Sequence, residues 1–574
     1  MSTAGALRTV LLALAVAFAL PAAAQEPILS NREIVHPVRA QQGMVASQEA
    51  LATRIGVDIL RRGGNAVDAA VGVGFALAVT LPRAGNLGGG GFMLVHLAAE
   101  NRTLAIDYRE VAPAAVHRDM YLDASGAADE DRLRHSHDSV GVPGTVAGLA
   151  LALARYGTMP LAAVMAPAIA LAEDGFPVSE DLAAGLAEHR ESFARWPESM
   201  RIFFKPDGSA YAPGETLRQP DLAASLRRIA AEGPDAFYRG DIAKKIAAEM
   251  ASHHSAMTQA DLAAYRVLER EPVRGRYRGY DILSMPPPSS GGVHLIQMLN
   301  ILEGYDLAAL GHNSAASIHL MTEAMRRAYA DRATHLGDPA FYPVPVQGLI
   351  SKRYAATLRR AVDPLRATPS NGVRAGNPRS FEGDQTTHFS VIDAQGNAVA
   401  NTYTLNHSFG SHIVAAGTGI LLNNEMDDFA ARPGAPNSYG LLGGDANAVA
   451  PGKRPLSSMT PTILLRDGRP VLAVGSPGGS RIITIVLQTI LNLVDYRMNL
   501  AAAVHAPRIH HQWQPDILSV ETGISPDTIR LLQGMGHRVE PGRAAGSVQA
   551  VQRDETGLAG ISDPRTPGGL TLGY

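Results

Sequence analysis

Apolar residues recur at helical spacing through Leu51, Ile55 and Ile59 and stop at Gly63-Gly64, which predicts a helix over 47–60. Asn65 then caps a second, almost wholly apolar helix that runs to Leu81 and ends at Pro82. Gly88-Gly89-Gly90-Gly91 follows and leads into Phe92-Met93-Leu94-Val95, a strand pattern. No Lys-Ser/Thr and no helix follow these glycines, so they predict close backbone packing, not a phosphate loop. A strand over 104–110 brings Arg109 to its end. Helical patterns over 142–182 (two segments), 222–231, 242–250, 260–265, 293–303 and 315–334 make a helical middle. It is broken by a strand over 277–284 and by the rigid turn Pro286-Pro287-Pro288-Ser289-Ser290-Gly291-Gly292.

The pattern changes after residue 368. A polar run with Gly and Pro over 368–385 leads into Gln385-Thr386-Thr387-His388-Phe389-Ser390-Val391-Ile392-Asp393, and Ala394-Gln395-Gly396-Asn397 turns the chain back toward Thr404 and Asn406. A two-residue turn between 394 and 397 makes paired positions sum to 791 and sets Thr386 opposite Leu405. A threonine heading a strand has a chemical use if the bond before it is cut. The freed α-amine, with an unperturbed pKa of about 8, can take the proton of its own hydroxyl. Beyond the hairpin, a short strand at 419–422 runs into Asn423-Asn424-Glu425-Met426-Asp427-Asp428-Phe429, carboxylates suited to a loop or to a substrate ammonium group. Residues 433–444, rich in Gly and Pro and containing Tyr439, have the composition of a lid. A hairpin about Asp467-Gly468 then meets Gly475-Ser476-Pro477-Gly478-Gly479-Ser480 and an apolar helix from Arg481 to about Val494. That junction can turn backbone N–H groups toward an oxyanion, or serve as a plain tight turn.

Composition adds two constraints. The 574 residues are 46% hydrophobic and 18% charged with net charge −3, ordinary globular values that give no support for a nucleic-acid partner. The chain has no cysteine, which excludes disulfides, thiolate metal sites and a cysteine nucleophile. The paired histidines (His135 with His137, His253 with His254, His510 with His511) lack metal-ligand spacing, so no metal and no cofactor is expected. Arg8, the apolar run 10–20 and Pro21-Ala22-Ala23-Ala24-Gln25 read as a signal peptide over 1–24, giving a periplasmic or secreted protein.

Seven strings in a fixed order resemble the γ-glutamyltranspeptidase (glutathione hydrolase) family of N-terminal-nucleophile hydrolases. They are Asn86 to Phe92, Arg109-Glu110, Met285 to Gly292, Gln385 to His388, Asn423 to Phe429, Arg454 to Met459 and Gly475 to Ser480. The resemblance covers nearly the whole mature chain. It implies an α+β fold, a four-layer αββα sandwich, made as a precursor that cuts itself between Gln385 and Thr386. A large chain (25–385) and a small chain (386–574) would then persist as a heterodimer. It implies Thr386 as nucleophile with Thr404 beside it. Asn406, Glu425 and Asp428 would hold the substrate α-amino group, and Arg109, Ser457 and Ser458 its α-carboxylate. Gly478 and Gly479 would form the oxyanion hole, with Tyr439 in the lid over the substrate. The implied substrates are glutathione and other γ-glutamyl compounds, cleaved through a γ-glutamyl ester, with water, amino acids or peptides as acceptors. His407 and His412 stand where the family pattern carries smaller residues and are read as loop decoration. A related acylase acting on glutaryl-type side chains is the rival enzyme, and a catalytically silent binding protein the rival of another class.

Overall fold

The computed structural model describes residues 34–378, 390–542 and 546–574; the leader at 1–24 and the junction Gln385-Thr386 lie outside them. Fourteen strands build two facing antiparallel sheets. They are β1 (Val38–Ala40), β2 (Met44–Ser47), β3 (Gly90–Leu97), β4 (Arg102–Tyr108), β5 (Leu268–Arg270), β6 (Val273–Tyr277), β7 (Tyr280–Ser284), β8 (Ser390–Ile392), β9 (Ala398–Thr404), β10 (Thr462–Arg466), β11 (Arg469–Gly475), β12 (Gln549–Asp554), β13 (Gly557–Ser562) and β14 (Leu570–Gly573). One sheet has the order β14-β2-β8-β9-β3-β4-β5, the other β1-β13-β12-β11-β10-β7-β6.

Helices cover both outer faces. On the first sheet lie α1 (Ala50–Arg61), α2 (Ala66–Thr80), α3 (Thr145–Tyr156) and α4 (Leu161–Asp174), with α5 (Asp241–Ser252) further out on the same side. On the second lie α6 (Gly291–Leu302), α7 (Ala315–His335), α8 (Lys352–Arg360) and α9 (Ile482–Val494). The chain therefore has the αββα layering. Between the sheets, Phe92, Leu94, Ala400, Ala473 and Val551 are buried in one apolar layer. Helix α2 is buried along its whole length, and its start is set by Asn65, whose side chain accepts from Val67 and Asp68 N–H while Asp68 answers back to the cap. The glycine run is the close approach expected: a Cβ at Gly88 would meet the Leu421 carbonyl at 2.1 Å, and one at Gly89 the Thr404 carbonyl at 2.0 Å.

Two expectations need correction. Residues 277–284 are not one strand: Tyr277 ends β6 and Tyr280 begins β7, because Arg278 and Gly279 take positive φ and reverse the chain. In the central hairpin the pairs are Ser390 with Ala400, Val391 with Val399 and Ile392 with Ala398, so positions sum to 790 and not 791. The loop holds three residues, closed by Asp393 and Asn397, with Gly396 at φ 91° supplying the left-handed step.

Candidate active site

Strand ends assemble the site. β9 and β4 run parallel on either side of β3, with Thr404 opposite Gly90 and Tyr108 opposite Gly91, so Thr404 and Arg109 emerge at one edge of the first sheet. From the second sheet β11 ends at Gly475 and delivers Gly478 and Gly479 to the same place. The loop Glu425–Asp428 is tied in by Asn423, whose Nδ2 donates to the carbonyls of Gly88 and Gly141, both at 2.8 Å. Thr404, Asn406, Arg109, Glu425, Asp428, Ser457, Ser458, Gly478, Gly479 and Tyr439 all line one cavity of about 530 Å³. The structure thus brings together every expected site residue it describes; Thr386 lies outside the described residues.

At one pole sits Arg109, fully buried. Its Nη1 lies 2.5 Å from Glu425 Oε1 and 3.6 Å from Glu110 Oε2, its Nη2 donates to Asp428 Oδ2 at 2.6 Å, and its Nε donates to the Pro455 carbonyl at 3.2 Å. Three carboxylates face one guanidinium, so this pole carries excess negative charge if all ionise. Burial pushes the Glu110 carboxyl up to about 7 against the pull of Arg109. Burial also drives Glu425 well above the usual carboxylate range, with Arg109 opposing and the Glu110 and Asp428 charges adding to the rise. Such a pole favours an incoming ammonium group. The family resemblance gave Arg109 to a substrate carboxylate, and Glu425 and Asp428 to the ammonium; here Glu425 and Asp428 pair with Arg109 itself.

The Ser457-Ser458 corner is built by the proline turn. Ser457 N–H donates to the Pro288 carbonyl, and its own carbonyl accepts from Ser290 N–H and Ser289 Oγ, each at 2.8 Å. Behind it, Arg332 of α7 donates from Nη2 to Ser458 Oγ at 3.0 Å and from Nε to Ser290 Oγ at 2.9 Å. Arg332 is buried, and burial lowers its pKa while Tyr329 and Asp428 hold the charge on. It is a second guanidinium close to the site that the sequence reading missed.

Gly478 and Gly479 have φ of 142° and 55°, the second in the left-handed region, ahead of α9. Among the described residues neither amide N–H has a hydrogen-bond acceptor. Tyr439 closes over them. A Cβ on Gly479 would strike the tyrosine ring at 2.6 Å, and the hydroxyl lies 3.0 Å from both the carbonyl and Oδ1 of Asn406. Asn406, at φ 77°, also donates from Nδ2 to the Asn424 carbonyl at 3.0 Å. Thr404 Oγ1 accepts from Asn406 N–H at 2.8 Å. His407 is more than decoration: its ring stacks on Tyr439 at 5.2 Å and its Nε2 lies 3.1 Å from Asp427 Oδ2, clamping the lid. His412 is buried against His189 and Phe193, away from the cavity lining. The arrangement can hold a zwitterionic head between the acidic pole and the serine corner, with an anion-accepting turn beside it.

Known proteins resemble the chain over nearly its whole length. The family model described as Gamma-glutamyltranspeptidase matches residues 52–572. The chain is 54% identical over 561 residues to a glutathione hydrolase proenzyme of Escherichia coli (strain K12), with 97% of each chain covered. It is similar to the crystal structure of cephalosporin acylase from Bacillus halodurans, with TM-score 0.83, 30% identity, and 96% of this chain and 98% of that one covered. It is also similar to Helicobacter pylori γ-glutamyltranspeptidase, with TM-score 0.58 and 43% identity over 62% of this chain and 100% of that one.

Proposed function

The chain belongs to the γ-glutamyltranspeptidase family, and from that premise we propose that it takes the γ-glutamyl group from glutathione and related amides and passes it to water, an amino acid or a peptide. In this reading the leader 1–24 is removed, the protein works in the periplasm or outside the cell, and the precursor cuts itself between Gln385 and Thr386. Residues 25–385 and 386–574 remain together as a heterodimer. No helix among the described residues is long and apolar enough to cross a membrane.

Thr386 Oγ1 attacks the γ-carbonyl carbon while the freed α-amine takes the hydroxyl proton. The oxyanion is met by the N–H groups of Gly478 and Gly479. The same proton goes to the leaving amine, which leaves a γ-glutamyl ester for water or an acceptor amine to open. Thr386 stands four residues ahead of Ser390, where β8 starts, at the end of the sheet where the antiparallel β9 finishes at Thr404; this chain order supports the assignment. Asp428, Glu425 and Asn406 take the α-ammonium group. Ser457 and Ser458, with Arg109 and Arg332 behind them, take the α-carboxylate. The observation that carries the reading is the crowding of Glu110, Glu425 and Asp428 about Arg109, with Arg109, Glu425 and Asp428 lining the cavity that Gly478 and Gly479 also line.

The likeness to a cephalosporin acylase gives the second reading, an acylase for glutaryl-type groups. Such a group lacks the α-ammonium that the acidic pole would neutralise. The test is the ratio of kcat/KM on γ-glutamyl-p-nitroanilide to that on glutaryl-p-nitroanilide. A ratio far above one is expected, and a ratio below one would make the protein an acylase.

A further inference from the structure

Three side chains from two separate stretches of the chain converge outside the cavity lining described above. His137 sits in the short turn His137–Ser139, Glu249 lies on α5, and His253 caps the end of that helix. Glu249 and His253 are four residues apart and so share a helix face. His137 Nε2 is 3.1 Å and His253 Nε2 3.7 Å from the same oxygen, Glu249 Oε1. The donor atoms of all three residues lie within 4.8 Å of one another.

We propose that His137, Glu249 and His253 form a binding site for a divalent transition-metal ion of the zinc type, with the remaining position left to water. Bonds of about 2.0–2.2 Å in a tetrahedral shell set ligand atoms roughly 3.3 Å apart. The separations of 3.1 and 3.7 Å from Glu249 bracket that spacing, and because the two imidazoles lie nearly parallel the exposed His253 ring must turn to aim its lone pair at an ion shared with His137. The donor set is the mixed imidazole–carboxylate type such an ion accepts. The outer shell is built as well: Glu249 Oε2 accepts from Ala416 N–H at 3.3 Å. The imidazoles are stacked 3.8 Å apart and 9° from parallel, and the Trp196 ring stands edge-on to both. His137 is buried while the His253 side chain is 45% exposed, which leaves a path from solvent. Sequence spacing hid the site because its histidines are more than a hundred positions apart and its acid comes from a helix that otherwise reads as an ordinary amphipathic one.

Tag-free, chelator-treated protein titrated with Co²⁺ tests this. One Co²⁺ per chain is expected, with visible absorption of four- or five-coordinate cobalt, quenching of Trp196 fluorescence, and displacement by Zn²⁺. Glu249→Gln and His253→Gln should each weaken binding at least about 100-fold while far-UV circular dichroism stays unchanged. If the three residues only stack and share hydrogen bonds, no stoichiometric Co²⁺ spectrum will develop. That result overturns the proposal, as does a spectrum that both variants reproduce at parental affinity.

Discussion

Replacing Asp428 by asparagine removes one charge from the acidic pole and leaves its shape. Asp428 Oδ2 lies 2.6 Å from Arg109 Nη2, and the aspartate side chain is only 14% exposed. Loss of one partner in a desolvated charge pair costs about 2–5 kcal/mol, or roughly 30-fold to 5,000-fold. Glu425 stays 2.5 Å from Arg109 and still offers an oxygen acceptor to the substrate ammonium group, so the loss should fall at the lower end, about 30-fold to 300-fold in kcat/KM. The head group is held in ground state and transition state alike, so the change should appear mainly in KM. The assay is hydrolysis of γ-glutamyl-p-nitroanilide, with glutaryl-p-nitroanilide alongside. The second substrate has no ammonium group and should lose far less. Cleavage of the precursor should be unchanged. An asparagine variant within threefold of the parent on the γ-glutamyl substrate would refute the reasoning, as would equal losses on both substrates.

Gly479→Ala should lower kcat at least about 100-fold, because its Cβ would meet the Tyr439 ring at 2.6 Å and strain the turn that presents the N–H; unchanged kcat in steady-state assays would remove Gly479 from the oxyanion site. The buried Asp331 carboxyl accepts from Gly376, Tyr354 and Gln297, yet burial raises its pKa to about 6. Its folded form therefore holds a proton that the unfolded chain releases near 4. The stability this contributes is full below about pH 4 and is lost as pH rises through about 6, on the order of 3 kcal/mol. Thermal midpoints from pH 4 to 7 should fall less for Asp331→Asn than for the parent, and parallel curves would contradict the assignment.

Local signals read well where they were self-contained. Asn65 marked the start of α2, and Asp467-Gly468 marked the hairpin between β10 and β11, with both residues at positive φ. The turn after Asp393 was misjudged by one residue because a two-residue reversal and a three-residue loop ending in glycine share the same composition. One residue is enough to change which side chain meets Thr404 across the hairpin. The order of strands in the two sheets was not legible, since β8 lies between β2 and β9 and β14 closes the edge, pairings that span hundreds of residues. Ten of the residues that line the cavity were named in the sequence reading, but Arg332 behind them was not. It belongs to α7, whose Glu323, Arg326, Arg327, Asp331 and Arg332 give the helix the charge pattern of an exposed one although all five are buried. Glu110 was quoted only as the neighbour of Arg109 and given no role, whereas it is fully buried against that guanidinium.

The central claim is that Thr386, freed by cleavage, carries the γ-glutamyl group. Intact-mass measurement of the purified protein, before and after brief mixing with a γ-glutamyl amide at low pH, tests it directly. Two chains divided between Gln385 and Thr386 are expected, and the smaller should gain one γ-glutamyl group on its N-terminal residue. Thr386→Ala should remain one chain and gain nothing. A fully active undivided chain would contradict the account, as would a γ-glutamyl group found on any residue other than Thr386.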